Sequence, residues 1–218
     1  MKTLIIGKNS RLVNQLGINK KNNIIKLISH SDIQNELNSG VVYKNIFLFS
    51  FSYKMQENMS MIEKIKLFSV ESEVYIISST SVFAYRISPF YKYPGIKSKM
   101  DSYAISNGFH ILRIGYVVDD ERSLNSGEYL ITHPNDICDF IDSPLKASKS
   151  RAVDLFKYVN LPMNIFYKIF YSVYLFALFH LGRYAFVLRP VDLILKVAGV
   201  KWYGYNALGV IYWKKKLQ

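Results

Sequence analysis

The sequence holds few of the residues that cross-link a chain or bind a metal. Among its 218 residues there is one cysteine, Cys138, which excludes a disulfide within the chain. The four histidines are not paired with cysteines or carboxylates at the spacing of metal ligands, except that His133 lies near Asp136. The sequence therefore predicts a protein without an internal disulfide or a metal centre.

Long apolar runs are also scarce. The stretch from Met1 to Gly7 is too short an apolar run for a signal peptide, so we expect a cytoplasmic protein. A membrane-spanning helix needs about 20 apolar residues. Lys168 and Arg183 enclose only 14 residues. A spanning helix is therefore the least favoured interpretation of this region.

Acidic residues are scarce, above all in the last third of the chain. The whole chain has 28 Lys and Arg against 16 Asp and Glu, a net charge of +12. Residues 1–150 carry a net charge of +4, and residues 151–218 carry +8 with only Asp154 and Asp192 as acids. The aromatic residues of this basic region cluster in an apolar run from Leu161 to Leu181 rather than alternating with charge. We therefore expect no nucleic acid partner.

What the sequence does contain is an alternation of short apolar runs with longer polar pieces that suit helices. This alternation is expected for a parallel sheet covered by helices, so the predicted fold class is α/β. A nucleotide site then belongs at the carboxyl ends of the strands. The apolar runs are Thr3 to Ile6, Ile24 to Ile28, Ile46 to Phe49, Val74 to Ile77 and Ile111 to Ile114.

A tyrosine, a lysine and a serine-rich segment are placed so that together they can move a proton. Tyr93 and Lys97 are four residues apart, and positions i and i+4 share one face of a helix. A nearby lysine favours the phenolate and lowers the pKa of a tyrosine from its ordinary value of about 10. Pro94 fits the first helical turn, so we expect Tyr93 at the start of its helix. The segment from Ser78 to Phe83 supplies hydroxyl groups just upstream.

These residues occur in an order that resembles the extended short-chain dehydrogenase/reductase superfamily, in particular its sugar-nucleotide epimerases and reductases. The resemblance implies a Rossmann-like, doubly wound parallel sheet that binds NAD(P) in residues 1–145, and a small, mostly helical subdomain in residues 146–218. The landmarks are the first strand and phosphate-loop glycine (Lys2 to Gly7), the strand with the catalytic Ser or Thr (Glu73 to Phe83), the Y-x-x-x-K-x-x-x-E pattern (Tyr93, Lys97, Asp101), the strand ending in Arg-x-Gly (Ile111 to Gly115) and the His-x-x-Asp segment (Tyr129 to Ile141).

The resemblance implies a role for each catalytic residue. Tyr93 would be the acid/base at the sugar hydroxyl or carbonyl, and Ser79 would hydrogen-bond the reacting oxygen. Lys97 would lower the pKa of the tyrosine and hold the nicotinamide ribose. Dehydratases of the family carry Thr-Asp-Glu on this strand, but the segment Ser79 to Ser81 has no acid. The implied function is thus reduction or epimerisation of a nucleotide-linked sugar, in surface-polysaccharide synthesis.

The phosphate loop departs from the family pattern. The usual fingerprint has three glycines, of which only Gly7 is present, and Ser10 and Val13 occupy the second and third positions. Asn9, Ser10 and Arg11 could still supply hydrogen bonds and positive charge to phosphates. A shell of this fold that no longer binds a cofactor remains an alternative.

The end of the second strand bears on the choice between NAD and NADP. The family places an acid there to hold the adenosine ribose hydroxyl, or a basic or small polar residue when the ribose carries a phosphate. His30 and Ser31 occupy the position, so NADP is favoured over NAD. Asp32 looks like an adenine-contacting residue of the family, although an Asp before a helix is more commonly an N-cap.

The C-terminal region allows more than one interpretation. In extended enzymes of this family it forms helices that close over the sugar nucleotide, so it would be a lid or a subunit interface. Aromatic helices flanked by Arg189 and Lys214 to Lys216 would also suit an anionic membrane surface at its inner face.

The substrate-binding lobe is short. Only 22 residues separate Arg113 from Asp136, fewer than the family usually has there. The pocket is therefore expected to be open, or to be completed by a partner or by a second subunit of a homo-oligomer. The rival function is a noncatalytic module that binds a nucleotide or a partner enzyme at the membrane surface.

Overall fold

The computed structural model describes residues 2–18, 24–68, 71–89, 91–124, 126–144, 151–181 and 204–217, with a few single positions between 184 and 197. Strands and helices alternate from the first residues onward. In chain order they are β1 (Thr3–Ile6), α1 (Arg11–Leu16), β2 (Ile25–Ile28), α2 (Ile33–Asn38), β3 (Asn45–Leu48), α3 (Met55–Phe68), β4 (Glu73–Ser79), α4 (Val82–Tyr85), α5 (Lys92–Ser106), β5 (His110–Ile114), β6 (Tyr116–Val117), β7 (Gly127–Thr132), α6 (Pro134–Asp142), β8 (Ala152–Leu155), β9 (Lys157–Leu161), α7 (Ile165–Leu181) and α8 (Gly204–Leu217).

The chain divides into two compact units whose segments alternate along the sequence. The first unit consists of Met1–Ser78, Lys99–Arg113 and Pro134–Asp154. The second unit consists of Ser79–Ser98, Ile114–His133 and Leu155–Gln218. The boundary predicted at residue 145 falls in residues 145–150, which lie outside the described residues, and it remains a prediction.

A six-stranded sheet in the order β2-β1-β3-β4-β5-β8 forms the larger layer. The strands β2, β1, β3 and β4 pair in parallel, with Thr3 opposite both Ile25 and Asn45. Every residue of β1 and β3 is buried, as expected of strands covered on both faces. The predicted α/β fold with a Rossmann-like parallel sheet is confirmed.

The strand order differs in one respect from the usual dinucleotide-binding order, in which a third strand lies beyond the second. Residues 29–44, all of which the structure describes, contain a short 3₁₀ turn and α2 but no strand. The chain leaves β1 for β2 on one side and then returns to β3 on the other. The direction of winding thus changes between β1 and β3, where ligands bind in open sheets of this kind.

The core of the first unit is built from the apolar faces of these strands and of helices α3 and α5. Ile62 and Ile65 of α3 are fully buried, as are Met100 and Ala104 of α5. Their spacing of three or four residues places each pair on one face of its helix. They pack in one cluster with side chains of β1, β3, β4 and β5.

The second unit contains strands that the sequence did not predict. It holds a three-stranded sheet, β6-β7-β9, in which β7 and β9 are antiparallel. Its core includes Tyr129 of β7, Tyr171 and Tyr174 of α7, and Leu208 of α8. Strands β8 and β9 both fall within residues 146–218, so the region expected to be mostly helical also contributes strands.

Helix α7 is strongly apolar, but only one of its faces is buried. Tyr171, Tyr174 and Leu178 are buried, whereas Phe166 and Phe170 are 80% and 52% exposed. Within the described part of the chain, no helix combines enough length and apolarity to span a bilayer. The assignment of this region as a lid or a subunit interface remains a prediction.

Gly115, directly before β6, provides a test of the packing against β7 within the second unit. A Cβ atom on Gly115 would collide with the carbonyl oxygen of Leu130, a backbone atom that cannot move aside cheaply. Gly115→Ala should therefore lower the free energy of unfolding by about 3 kcal/mol or more. Gly40 has φ +66° and open space around it, so Gly40→Ala should cost only about 1 kcal/mol of backbone strain. Urea unfolding measures both, and equal losses would contradict this packing.

Candidate functional site

A cavity of about 1010 Å³ lies in the first unit at the carboxyl ends of β1, β2 and β3. Three loops line it, one after each of these strands, and one side of α3 from Gln56 to Lys64 completes the wall. The cavity thus occupies the point where the winding of the sheet reverses. The residues in its wall are Gly7, Asn9, Ser10, Ser29 to Ser31, Phe49 to Lys54, Gln56, Glu57, Ser60, Met61 and Lys64.

The first loop follows β1 and is held tightly against its neighbours. The N–H groups of Gly7 and Lys8 both donate to the carbonyl of Ile28, at 2.9 Å. Gly7 has φ +120°, and a Cβ atom there would come within 3.0 Å of Cβ of Phe49 and of the N atom of Ser50. The glycine is thus required by the close approach of β3 as well as by its backbone conformation.

Ser10 has a local structural role at the position of the family's second glycine. Its hydroxyl accepts the N–H of Val13 at 3.1 Å and so caps α1. Val13, at the third glycine position, is fully buried. Asn9 and Arg11 are exposed, and of these two residues only Asn9 lines the cavity.

The second loop contains Asp32. Its negative charge did not enter the prediction that NADP is favoured over NAD. The carboxylate of Asp32 accepts hydrogen bonds from the hydroxyl of Ser29 at 2.8 Å, the N–H of Ser29 at 3.3 Å and the hydroxyl of Ser31 at 3.3 Å. The bonds from Ser29 hold the pKa of Asp32 below its ordinary value. His30 and Ser31, which were predicted to hold the ribose, line the cavity, and the hydroxyl of Ser31 is in contact with Asp32; their role remains a prediction.

The third loop was not predicted from the sequence. Asn58 of α3 is fully buried, accepts the N–H of Ser52 at 2.9 Å and donates to the carbonyl of Ser52 at 2.7 Å. This amide fixes the loop that carries Phe51 and Tyr53, whose rings lie 5.5 Å apart at a steep angle. The only indication in the sequence was a polar residue, Asn58, at the fourth position of a helix. The loop adds aromatic surface to the cavity wall.

The three predicted catalytic residues all lie in the second unit. Ser79 is the last residue of β4, and its hydroxyl accepts the N–H of Ser81 at 3.2 Å. Tyr93 and Lys97 are the second and sixth residues of α5, one turn apart. Tyr93 is half-buried, and Lys97 is only 6% exposed. The expected placement of Tyr93 in the first helical turn agrees with the structure.

The start of α5 packs tightly against α4. A Cβ atom on Gly95 would lie 2.9 Å from Cε2 of Tyr85, so only a glycine fits without a shift of that ring. The glycine is therefore explained by the close approach of α4 to α5, the helix that carries the predicted catalytic tyrosine. Ser81, at the start of α4, is buried, and its hydroxyl has no hydrogen-bond partner within the described residues.

A polar network in the first unit holds the later part of α5. Asp101 is 5% exposed and accepts the hydroxyl of Ser78 at 2.8 Å. Nε of Arg113 lies 3.9 Å from the same carboxylate, and Nη1 of Arg113 bonds Asp154 at 3.1 Å. Asp101 stands at the acidic position of the family's tyrosine–lysine pattern. In this structure it joins α5 to β4 and β5.

A second cavity of about 560 Å³ lies within the second unit, beside the short segment after β5. Its wall includes Asp119, Asp120 and Glu121, against Arg122 and His133. Glu121 bonds Lys157 at 2.7 Å, a contact that lowers its pKa. Three acids in one wall make this cavity unfavourable for a phosphate group.

Comparison with known proteins identifies the fold. No protein-family model and no curated protein matches the sequence. Among solved structures, a dTDP-4-dehydrorhamnose reductase from Clostridium acetobutylicum is similar over 81% of each chain, with 13% identity and a TM-score of 0.52.

Two dehydratases are similar to the same degree. The NAD-dependent NDP-hexosamine 5,6-dehydratase TunA, involved in tunicamycin biosynthesis, is 8% identical, with 84% of this chain and 82% of that chain covered and a TM-score of 0.53. The dTDP-glucose 4,6-dehydratase DesIV of Streptomyces venezuelae, solved with NAD bound, is 11% identical, with coverage of 74% and 78% and a TM-score of 0.50. At these identities the likeness shows the fold, and it does not select a reaction.

The Asp101 network predicts unequal effects for its two acids. Asp101→Ala removes a buried partner of Ser78 and Arg113, and should lower the free energy of unfolding by about 3 kcal/mol. Asp154 is 38% exposed, so Asp154→Ala should cost at most about 1 kcal/mol. Denaturant unfolding of both variants measures the two losses of stability. Similar losses would mean that burial of Asp101 does not matter to stability.

Proposed function

We propose that this chain, which has the fold of the sugar-nucleotide short-chain dehydrogenases/reductases, is an NAD(P)-dependent reductase or epimerase of a nucleotide-linked sugar. The observation that carries the proposal is the cavity lined by Gly7, Asn9, Ser10, His30 and Ser31, five of the residues predicted to bind the cofactor. Ligand pockets usually measure about 300–1,000 Å³. A cavity of about 1010 Å³ at the reversal point therefore fits a dinucleotide.

The loops of this cavity offer suitable groups for a cofactor of this class. The side-chain amide of Asn9 can donate to phosphate oxygens, whereas the backbone N–H groups of Gly7, Lys8 and Ser10 are already bonded to carbonyls of the chain. The rings of Phe51 and Tyr53 offer an apolar surface for a base. When bound, the nicotinamide would supply the hydride chemistry, and the chain would have to manage the proton.

Proton transfer is the role we propose for the residues of the second unit. Tyr93 would give a proton to the sugar carbonyl oxygen in reduction, or take it from the sugar hydroxyl in oxidation. Lys97 would favour the phenolate of Tyr93 and hold the nicotinamide ribose. The hydroxyl of Ser79 would hydrogen-bond the reacting oxygen.

The burial of Lys97 supports this role. Burial of an ammonium group costs free energy because the group loses its hydration. A lysine without a structural or functional role is therefore expected to be exposed to solvent. Lys97 is 6% exposed, one turn from a half-buried tyrosine. A surface aromatic beside a solvated charge, the simplest alternative for any Tyr-x-x-x-Lys sequence, does not describe this pair.

The substrate class and the pathway rest on analogy of fold. Two of the proteins with this fold are named for dTDP-linked sugars. We propose a nucleotide-linked sugar as substrate and surface-polysaccharide synthesis in the cytoplasm as the setting. Assays of turnover on a panel of nucleotide-linked keto sugars would test the substrate class.

A noncatalytic module is the second candidate, and the acidic cavity of the second unit favours it. Asp119, Asp120 and Glu121 would repel the diphosphate of a nucleotide sugar if the substrate bound there. In this case the first cavity would bind a nucleotide without turnover, or would bind a partner enzyme. A protein that binds NADH or NADPH but converts no sugar would support this candidate over the enzyme.

Replacement of the proposed proton carrier tests the catalytic assignment. Tyr93→Phe should reduce turnover by roughly 10²–10⁴-fold, because it removes general acid–base catalysis. Cofactor affinity and thermal stability should be nearly unchanged. Lys97→Met should weaken both cofactor binding and turnover, since one ammonium group would serve both.

Tyr103→Phe is a matched control on the same helix. Tyr103 bonds Glu63, and we propose no part for it in catalysis. Turnover in this variant should equal that of the parent protein. Unchanged turnover in Tyr93→Phe would remove the catalytic assignment, and a loss of stability alone in Lys97→Met would make that lysine a structural residue.

Cofactor choice is set, in our proposal, by two opposing features of the second loop. His30 and Ser31 can accept the extra phosphate of NADP, whereas the ionised Asp32 in contact with Ser31 repels it. We propose a net preference for NADP that added salt reduces by screening.

Two substitutions should move this preference in opposite directions. Asp32→Asn should raise the affinity for NADPH relative to NADH, and Ser31→Asp should narrow or reverse the preference. Fluorescence titrations with both cofactors measure the ratio. Equal affinities for NADH and NADPH in the parent protein would refute the NADP preference while leaving the dinucleotide site in place.

A further inference from the structure

Helix α7 presents several large apolar side chains on its exposed side. Its buried side, Tyr171, Tyr174 and Leu178, packs in the core of the second unit. On the opposite side, five large side chains are between 52% and 80% exposed. We call this set the apolar face of α7; it consists of Phe166, Ile169, Phe170, Val173 and Phe176.

The arrangement of these side chains marks an interaction surface. Their spacing of three, four, seven and ten residues from Phe166 places them on one side of the helix. Single exposed apolar residues are common on proteins, but a contiguous patch indicates a partner. Beyond α7, Phe186, Leu193, Ile194 and Val197 are also 62–81% exposed.

Helices α7 and α8 also carry exposed positive charge. Lys168 is exposed on α7, and Lys215 and Lys216 are exposed on α8. Nζ of Lys215 lies 3.8 Å from the ring centroid of Phe179, so this cation is held at the C-terminal end of α7. Lys214 instead bonds Glu128 and is not available to a partner. From residue 155 to the end of the sequence, Asp192 is the only acid.

The apolar face of α7 and the nearby lysines fit some classes of partner better than others. The classes to compare are a second copy of the chain, a nucleic acid and an anionic lipid surface. A second copy of the chain would bring one set of exposed lysines against another. A nucleic acid would need rings on which bases stack, and Ile169 and Val173 in the middle of the face are aliphatic. An anionic lipid surface satisfies both features, since phenyl and aliphatic groups enter the acyl boundary while lysines meet the headgroups.

We propose that the apolar face of α7 docks the protein onto an anionic bilayer, with the helix lying in the plane of the membrane. With 17 residues, α7 is about 25 Å long, shorter than the roughly 30 Å hydrocarbon core of a bilayer. Lys168, Lys215 and Lys216 contact acidic headgroups at the edge of the face. Docking requires neither cofactor nor sugar, so it can be tested apart from catalysis.

Vesicle sedimentation tests the proposal. The parent protein should bind vesicles of equal parts phosphatidylcholine and phosphatidylglycerol, and should bind phosphatidylcholine vesicles at least about tenfold more weakly. The double variant Lys215→Gln with Lys216→Gln should lose about 30-fold in the partition coefficient, which corresponds to about 1 kcal/mol for each lysine. Phe166→Ser with Val173→Ser should lose about 100-fold or more.

The control is a double variant with the same change in net charge at a distant part of the sequence. Lys2 and Lys44 are exposed residues of the first unit, and Lys2→Gln with Lys44→Gln should bind vesicles as the parent does. The melting temperature of all variants should equal that of the parent protein, because every substituted side chain is exposed.

Three results would overturn the proposal. The first is no binding to anionic vesicles, and the second is an equal loss in the Lys2 and Lys44 control, which would indicate unspecific attraction of a basic protein. The third is a dimer in light scattering that Phe166→Ser with Val173→Ser converts to a monomer. That outcome would identify a second copy as the occupant of the face.

Discussion

The pairing of β1 with both β2 and β3 is the constraint on which the first unit depends. Each backbone N–H and C=O of a buried central strand must be satisfied on both sides, because water cannot reach it. The chain meets this requirement by placing β2 on one side of β1 and β3 on the other. The same choice opens a cleft between the loops that follow β1 and β3. Folding and the proposed ligand site therefore share one cause.

Strands could be predicted from the sequence most readily where both of their faces are buried. Strands β1, β3 and β4 are buried on both faces, so each appears in the sequence as an apolar run, and the α/β fold could be predicted. Strands β8 and β9 have no fully buried residue and carry polar side chains, so no such run reveals them. Ser10 was predictable as part of the phosphate loop, but its capping of α1 depends on backbone geometry. The hydrogen bonds between Asn58 and the backbone of Ser52 depend on the conformation of the loop, which the order of residues in the sequence does not reveal.

Several acids of this chain are bound by partners within the fold, so a count of charges in the sequence does not give the charge of a surface. Asp32 is turned back onto Ser29, and Glu128 is occupied by Lys214. The pairing of Glu128 with Lys214 neutralises one cation of α8, so that Lys215 and Lys216 carry the exposed positive charge there. At the end of β2, Asp32 places a negative charge beside the residues proposed to hold the ribose.

The strand order has a consequence for solubility. Among the described strands β2 ends the sheet, and an end strand offers unpaired backbone groups to any other chain that can extend the ladder. Lys26 lies at the middle of this strand, half exposed, and its ammonium is fixed by Glu36 at 2.7 Å. A charged side chain held on an end strand obstructs the addition of another strand, because the newcomer would have to bury or displace it. Lys26 thus hinders the pairing of β2 with a strand of another protein molecule. No further strand of the described chain lies beyond β2, so this is the edge at which such pairing would occur.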